Sequence, residues 1–508
     1  MLNGVKREIP NNLPRFISSD DFLNKERKLI TKKKKQSKTV FFNSYSEIFS
    51  NFNIKAKDTL SFHHHLRNGD RVIQAVCEEI KKLNLRDLHF APSSIFPSYT
   101  NMIELIENGN IKDIHTNYLN GEVARIISEG KLEGKLIMNT HGGRARAIES
   151  GDLAIDVAFI ACPTVDKAGN GSGAIGKNAC GTLGYCIPDL EYAKKVVLIT
   201  DNLVEKLDKY QLDGNYVDGV LVVKSIGDAQ GIVSGTTEIT KDPVGLKIAR
   251  DCSNLLLDLS LIKNNFSMQT GAGKTSLAVV NYIKEIMKKQ NIKGSFASGG
   301  ITKSYVEMLE EGLFTNLYDV QCFDLAAVQS FKNNKNHLAM SASEYGNPFE
   351  KAIIAEKLDF VILGATEIDL DFNVNVTTDS SGYLIGGSGG HADIAKGAKV
   401  TIIISPLIKS RIPIIKERVN TVTTPGEDID ILLTERGVAI NPKRKDLIKK
   451  LANSKFKIYD IKELLEKTHE ITGVPAKIKT DNKIIGYVEY RDGTIIDVLN
   501  KVHDDYRR

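Results

Sequence analysis

Apolar positions along the 508 residues fall into two kinds of run that alternate. In the first kind they recur every three or four residues: "VIQAVCEEIKKL" (72–83) and "SLAVVNYIKEIMKK" (276–289) each gather their apolar side chains on one stripe, which predicts amphipathic helices. The second kind is short, continuous and rich in β-branched residues: "DVAFIA" (156–161), "VVLIT" (196–200), "GVLVV" (219–223), "DFVIL" (359–363) and "TIIIS" (401–405). Such runs suit strands buried on both faces. Their alternation with helical stretches predicts an α/β fold, with mostly parallel sheets covered by helices.

The pattern occurs twice. At an offset of 206, residues 61–104 align without a gap on 267–310, and eleven of the 44 positions are identical, among them Ser61/Ser267, Phe90/Phe296, Ile95/Ile301, Ser98/Ser304 and Tyr99/Tyr305. Further on, "DVAFIACPTVD" (156–166) matches "DFVILGATEID" (359–369), and "AKKVVLIT" (193–200) matches "AKVTIIIS" (398–405). This internal repeat implies two similar α/β subdomains. The expected organisation is a basic leader at 1–50, a first domain at 51–262, and a second domain at 263–508 with a C-terminal extension. That extension includes "KIIGYVEYRDGTIIDVL", a predicted hairpin turning at Asp492-Gly493.

Composition excludes several classes. With 42% hydrophobic residues, 26% charged and a net charge of +5, the chain reads as an ordinary globular protein with no call for nucleic acid. The run "KERKLITKKKKQSK" (25–38) reads as a solvated leader or linker. No apolar run reaches the ~18–20 residues of a membrane span, and the amino terminus has no signal-peptide core, so the cytoplasm is the default location. Six cysteines (77, 162, 180, 186, 252 and 322) form no CxxC pair, which points to buried thiols.

Several stretches carry candidate chemistry. "TGAGKT" (270–275) ends like a nucleotide-binding P-loop, but the required upstream glycine is Met268, so an NTPase is not expected. In the repeat register it lies opposite "HHLRNG" (64–69), ahead of the same predicted helix. A small-residue loop before a helix offers backbone N–H groups to an anion, which makes Gly271, Gly273 and Lys274 candidates.

In "SFHHHLRNGD" (61–70), His63, His64 and His65 point in different directions and do not converge on one ion. No metal site is expected; with Arg67 these residues suit an anionic substrate. "NTHGGRARAIESGD" (139–152) places His141, Arg144 and Arg146 on a glycine turn. Their guanidinium forks suit carboxylates, either of a substrate or of a salt bridge. Glu344 in "SASEYGNP" could act as nucleophile or base. Gly387, Gly389 and Gly390 in "GGSGGHADIAKGAKV" (386–400) could aim N–H groups at an oxyanion, or simply form a turn.

Taken together, "SFHHHLRNGD", "HGGRARAIESGDLAIDVAFIACPTVDKAGNGSG", "QTGAGKTSLAV", "FASGGIT" and "SEYGNP" resemble the citrate lyase alpha chain family over nearly the whole length. That family is similar to the wider CoA-transferase group, in which two related α/β subdomains face each other across a cleft. The resemblance implies exchange of acetyl for citrate on the CoA-like prosthetic arm of an acyl carrier (gamma) subunit, with release of acetate. A beta subunit would then cleave the citryl thioester to oxaloacetate and acetyl thioester. No cofactor would be bound covalently to this chain.

The resemblance also implies roles. Arg67, Arg144, Arg146 and the histidine run would supply positive charge for citrate, Gly387, Gly389 and Gly390 the oxyanion hole, and the loop at Lys274 a seat for the arm's phosphates. CoA-transferases carry a "Ser-Glu-Asn-Gly"-like motif with a nucleophilic glutamate; here Tyr345 stands in place of the asparagine, which leaves Glu344 open as nucleophile or orienter. The competing readings are a free-standing acyl-CoA:carboxylate CoA-transferase, a citramalate-specific relative, and a non-catalytic carrier-binding scaffold.

Overall fold

The computed structural model describes residues 1–21, 28–33, 38–63, 65–233, 239–476 and 478–506. Two large sheets carry the repeat strand for strand. In the first, seven parallel strands run in the order Gly219–Val222, Lys195–Thr200, Val157–Ala161, Thr59–Phe62, Leu88–Pro92, Ile111–Thr116 and Leu136–Met138. In the second, the order is Ile431–Thr434, Thr401–Ile404, Phe360–Leu363, Ser267–Thr270, Gly294–Ile301, Phe314–Cys322 and His337–Ala339, again all parallel. All five residues of Val157–Ala161 and all four of Phe360–Leu363 are buried, which is why these strands read as unbroken apolar runs. Burying each Val, Leu, Ile or Phe among them is worth roughly 1.5–3 kcal/mol. The helices Val72–Leu83 and Lys274–Gln290 fall where periodicity puts them, with Val76, Ile80, Val280 and Ile283 packed inward.

Both ends of the chain depart from expectation. The hairpin of Thr480–Glu489 and Ile495–Val502 forms about Gly493 (φ +91), but it extends the first sheet, pairing in parallel with Leu136–Met138. The segment 263–508 therefore does not stay with the second sheet. The described part of the basic leader 1–50 packs against the rest of the chain. Phe16 is buried edge-on against Tyr490 at 4.9 Å, its amide donates to Ile495, and Val40–Phe42 adds an edge strand to the first sheet. Within the basic run, Lys32 and Lys33 pair with Glu191 and Asp218; residues 25–27 and 34–37 lie outside the described residues. The apolar residues scattered among the charges, Ile9 and Phe16, anchor this segment and outweigh its composition. All six cysteines are buried and free. No helix among the described residues is long and apolar enough to cross a membrane.

Candidate active site

In each sheet the chain leaves the central strand, builds outward on one side, and returns to build the other. The loops after the central strands Thr59–Phe62 and Ser267–Thr270 therefore lie at topological switch points, where open α/β sheets hold ligands. These are the two loops, "HLRNG" (65–69) and "GAGKT" (271–275), that the repeat sets opposite each other. They meet across a cleft of about 750 Å³ between the two halves, bordered also by His141 and by the glycine loop 386–390.

Arg67 reaches this cleft from the first half. It is 8% exposed and takes φ +52 in a short 3₁₀ turn, Arg67–Gly69, and its guanidinium lies between the rings of Phe96 (5.2 Å) and Phe323 (4.9 Å). Its Nε and Nη1 have no hydrogen-bond partner among the described residues. Burial disfavours a charge left in that state, and an incoming carboxylate would restore its solvation. From the second half come Gly271, Gly273 and Lys274. Gly273 is the N-cap of the 17-residue helix Lys274–Gln290 and brings no side chain of its own to cap it. A Cβ on Gly273 would meet only Ser276 Oγ, at 3.5 Å, so the helix start is open toward the cleft.

His141 begins a helix, His141–Ser150, where a turn was expected. Thr140 caps it by accepting from the Gly143 amide at 2.7 Å. Gly142 is needed because a Cβ there would lie 2.0 Å from the Gly346 carbonyl oxygen, and this packing outweighs glycine's poor helix propensity. Burial, with Arg144 adding to it, pushes His141 down to about 3, so its ring is neutral beside Tyr185 (4.4 Å).

The glycine loop runs close against both halves. Gly387 would carry a Cβ 2.3 Å from the Asn117 carbonyl oxygen, and Gly390 one 2.1 Å from Tyr345 Oη. Gly389 takes φ +49 and its amide donates to Asn117 at 3.1 Å, so that N–H is not available to an oxyanion as expected.

Several expected site residues are engaged elsewhere. Arg144 binds Asp189 through two bonds of 2.7 and 2.8 Å and donates to the Ala91 carbonyl at 2.7 Å. Arg146 pairs with Asp152 at 2.6 Å and Glu489 at 3.3 Å. Both arginines are buried and engaged in structural ion pairs, Arg144 with a buried partner and Arg146 with the exposed Asp152, and neither lines the cleft. His63 sits 3.5 Å from Asp189 beneath the cleft, and His65 packs on Tyr185 at 6.0 Å. Burial lowers both histidines, His65 to about 3, so they do not supply positive charge. His64 lies outside the described residues.

Glu344 is exposed. Its carboxylate accepts from the Ser341 amide at 2.7 Å in a capping box that starts the helix Ala342–Gly346, and it does not line the cleft. The next residue, Tyr345, does: it is buried there, and its hydroxyl accepts from Gln269 at 2.9 Å. Tyr345, Tyr185, Gln269, Phe96 and Phe323 were not found from sequence. Only their position beside the switch-point loops and the "SEYGNP" motif could have signalled them. Among the described residues, one group of potential metal ligands comes together. In it Cys322 and His337 both contact Asp319 Oδ2 at 3.0 Å while His337 Nδ1 meets Ser330, so these groups satisfy one another.

Two similar α/β halves that present their switch-point loops to a shared cleft define a CoA-transferase-like protein. The alpha subunit of an Acinetobacter baumannii malonate decarboxylase has this fold at 13% identity, with a TM-score of 0.62 over 86% of this chain and 93% of that one. The family model "Citrate lyase, alpha subunit (CitF)" matches residues 38–502, and the chain belongs to that family. It is 43% identical over 462 residues to the citrate lyase alpha chain of Haemophilus influenzae, covering 91% of this chain and 92% of that one. It is 41% identical over 445 residues to that of Klebsiella pneumoniae, covering 87% and 88%. A Streptococcus mutans structure, described as an alpha subunit of citrate lyase in complex with citrate, superposes with a TM-score of 0.94 at 41% identity, over 99% of this chain and 100% of that one.

Proposed function

We propose that this chain transfers the carrier thioester from acetyl to citrate. Acetyl arrives on the CoA-like prosthetic arm of the gamma (acyl carrier) subunit, and the product citryl thioester passes to the beta subunit for cleavage. The arm is thus a substrate brought by a partner, and the reaction is assigned to the cytoplasm. The observation that carries this reading is the pairing, in one cleft, of a buried guanidinium at Arg67, whose Nε and Nη1 have no partner among the described residues, with the amino end of a long helix at Gly273–Lys274. The first suits a carboxylate of citrate; the second suits a phosphate of the arm.

The chemistry follows from the charges. A citrate carboxylate oxygen attacks the acetyl thioester carbonyl, the C–S bond breaks, and a mixed acetyl–citryl anhydride and a thiolate result. The thiolate then attacks the citryl carbonyl of the anhydride, and the C–O bond to acetate breaks. The exchange needs no net proton or electron. In both steps an anionic nucleophile adds to a carbonyl and builds negative charge on its oxygen, so the protein must stabilise that charge, hold the citrate carboxylates and keep the reacting atoms in line. Arg67 fits the second task. The neutral His141 and the Tyr345 hydroxyl, on either side of the glycine loop, fit hydrogen bonding to the carbonyl oxygen. The exposed, helix-capping position of Glu344 favours citrate itself as the nucleophile over a covalent Glu344 adduct.

The test is incubation of the purified chain with citrate and acetyl-CoA, with citryl-CoA followed by mass spectrometry. Citryl-CoA with matching acetate is the expected result. Turnover of citramalate instead of citrate would shift the assignment within the family. No product from any acid, even with the acyl carrier subunit supplied, would overturn the reading in favour of a scaffold.

A further inference from the structure

Behind the cleft lies a fully buried polar cluster that draws on three distant parts of the chain. Asp393, in the helix His391–Gly397 of the second half, accepts from Thr140 Oγ1 at 2.8 Å and from the Gly142 amide at 2.8 Å. It thereby holds the first turn of the helix that carries His141. Arg491, from the turn of the C-terminal hairpin, donates to the Gly346 carbonyl at 2.9 Å, immediately after Tyr345. Its Nε lies 3.7 Å from Asp393 Oδ1, and both side chains are 0% exposed. Gly346 is in turn pressed against Asp393, since a Cβ there would lie 2.8 Å from that of the aspartate. Neither residue touches the cleft, yet each holds one of its walls. The C-terminal hairpin leaves the second sheet and joins the first, and in doing so brings Arg491 to this point.

Resting on the transferase reading above, we infer that Asp393 and Arg491 are positioning residues for acyl transfer, joined as a brace that holds His141 and Tyr345 at their working separation, 6.3 Å between ring centroids at the cleft wall. Two elements from opposite halves must keep a fixed spacing for one substrate carboxylate and one thioester to meet. A buried charge pair with directed hydrogen bonds supplies that spacing more exactingly than apolar packing, because a shift of under an ångström breaks the bonds. As a carboxylate, Asp393 accepts from two donors and faces Arg491. Once protonated it gives up part of that acceptor capacity and its charge attraction to the guanidinium.

Burial pushes Asp393 up to about 6, so the brace loosens as the pH falls through that value. The titratable and charged groups around it are Arg491 from the hairpin, Tyr345 and Tyr185, both with pKa values raised by burial and by their own neighbouring acids, and the neutral His141 at the start of the helix it holds.

The experiment measures kcat at saturating citrate against pH, with citryl-CoA as product, in the wild type and in Asp393→Asn and Arg491→Lys. The wild type should show an acid limb with its midpoint near pH 6. Asp393→Asn should lose at least tenfold in kcat, keep its citrate dissociation constant within about threefold by calorimetry, and lose the acid limb. Arg491→Lys, which keeps the charge, should retain more activity than Asp393→Asn and keep the limb. The amides of 141–144 and 345–347 should exchange hydrogen faster in both variants while the sheets remain protected.

A wild type whose kcat is flat through pH 6 would overturn the inference without any variant. So would Asp393→Asn with an unchanged kcat, or with a reduced kcat and an intact acid limb. If the wild type makes no citryl thioester, the transferase reading fails instead. The exchange pattern then decides the brace alone: unchanged protection at 141–144 and 345–347 in Asp393→Asn would overturn it.

Discussion

The two switch-point loops start from the same place in a duplicated scaffold and arrive at opposite chemistries. In register, Arg67 stands opposite Gly273 and Asp70 opposite Ser276. The second helix begins at Lys274, which corresponds to Asn68, four residues ahead of Val72 where the first helix begins. The second copy is thus longer by about one turn, and its amino end borders the cleft at a glycine N-cap. In the first copy that turn is replaced by the 3₁₀ segment Arg67–Gly69, and Asp70 closes the helix by accepting from the Val72 and Ile73 amides at 2.8 and 3.2 Å. One loop therefore satisfies its own helix dipole and offers a cation. The other turns the positive end of its helix dipole and a glycine backbone toward the cleft. Duplication followed by this divergence yields two anion sites of different character in one cleft, which an exchange between a carboxylate and a phosphate-bearing thioester requires.

The largest effect that probes this contrast comes from an arginine outside it. Arg144→Met leaves Asp189 buried and uncompensated, which should cost about 3–5 kcal/mol of stability in urea denaturation. Arg67→Met removes a guanidinium that has no such partner, so folding should be far less affected. Its kcat/KM for citrate should drop by roughly 10–100-fold, the worth of a charged hydrogen bond. Equal destabilisation of the two variants would erase the distinction between a structural and a ligand-facing arginine.

Gly273→Asp would give the second loop the carboxylate that the first already has. The site has room for it, and stability should change by only a few tenths of a kcal/mol. The KM for acetyl-CoA should rise by roughly 3–10-fold as the new carboxylate competes with phosphate, and added salt should reduce the difference. An unchanged KM at low salt would remove the second anion site. The smallest effect is expected for Glu344→Gln, which keeps the capping box: about twofold at most in kcat/KM, equivalent to ~0.5 kcal/mol. A loss above a hundredfold there would return Glu344 to the reaction.

The sequence by itself determined the architecture. Helical and strand periods are properties of short windows, and an offset of 206 exposes the duplication without any knowledge of contacts. From these came the two sheets, the paired loops at their central strands and the hairpin at Gly493. Only the tertiary structure decided which residues face the cleft. Arg67, Arg144 and Arg146 are chemically alike in the chain. They differ because Arg144 meets Asp189, 45 residues away, and Arg146 meets Glu489, 343 away, besides the nearby Asp152, whereas both neighbours of the Arg67 guanidinium are aromatic. Glu344 and Tyr345 are adjacent, and the rotation of one short helix sends the first to solvent and the second into the cleft. Local patterns record what each segment prefers to bury. Which charges remain unpaired depends on the fold as a whole, because a partner's position is set by long-range packing that no window of sequence contains.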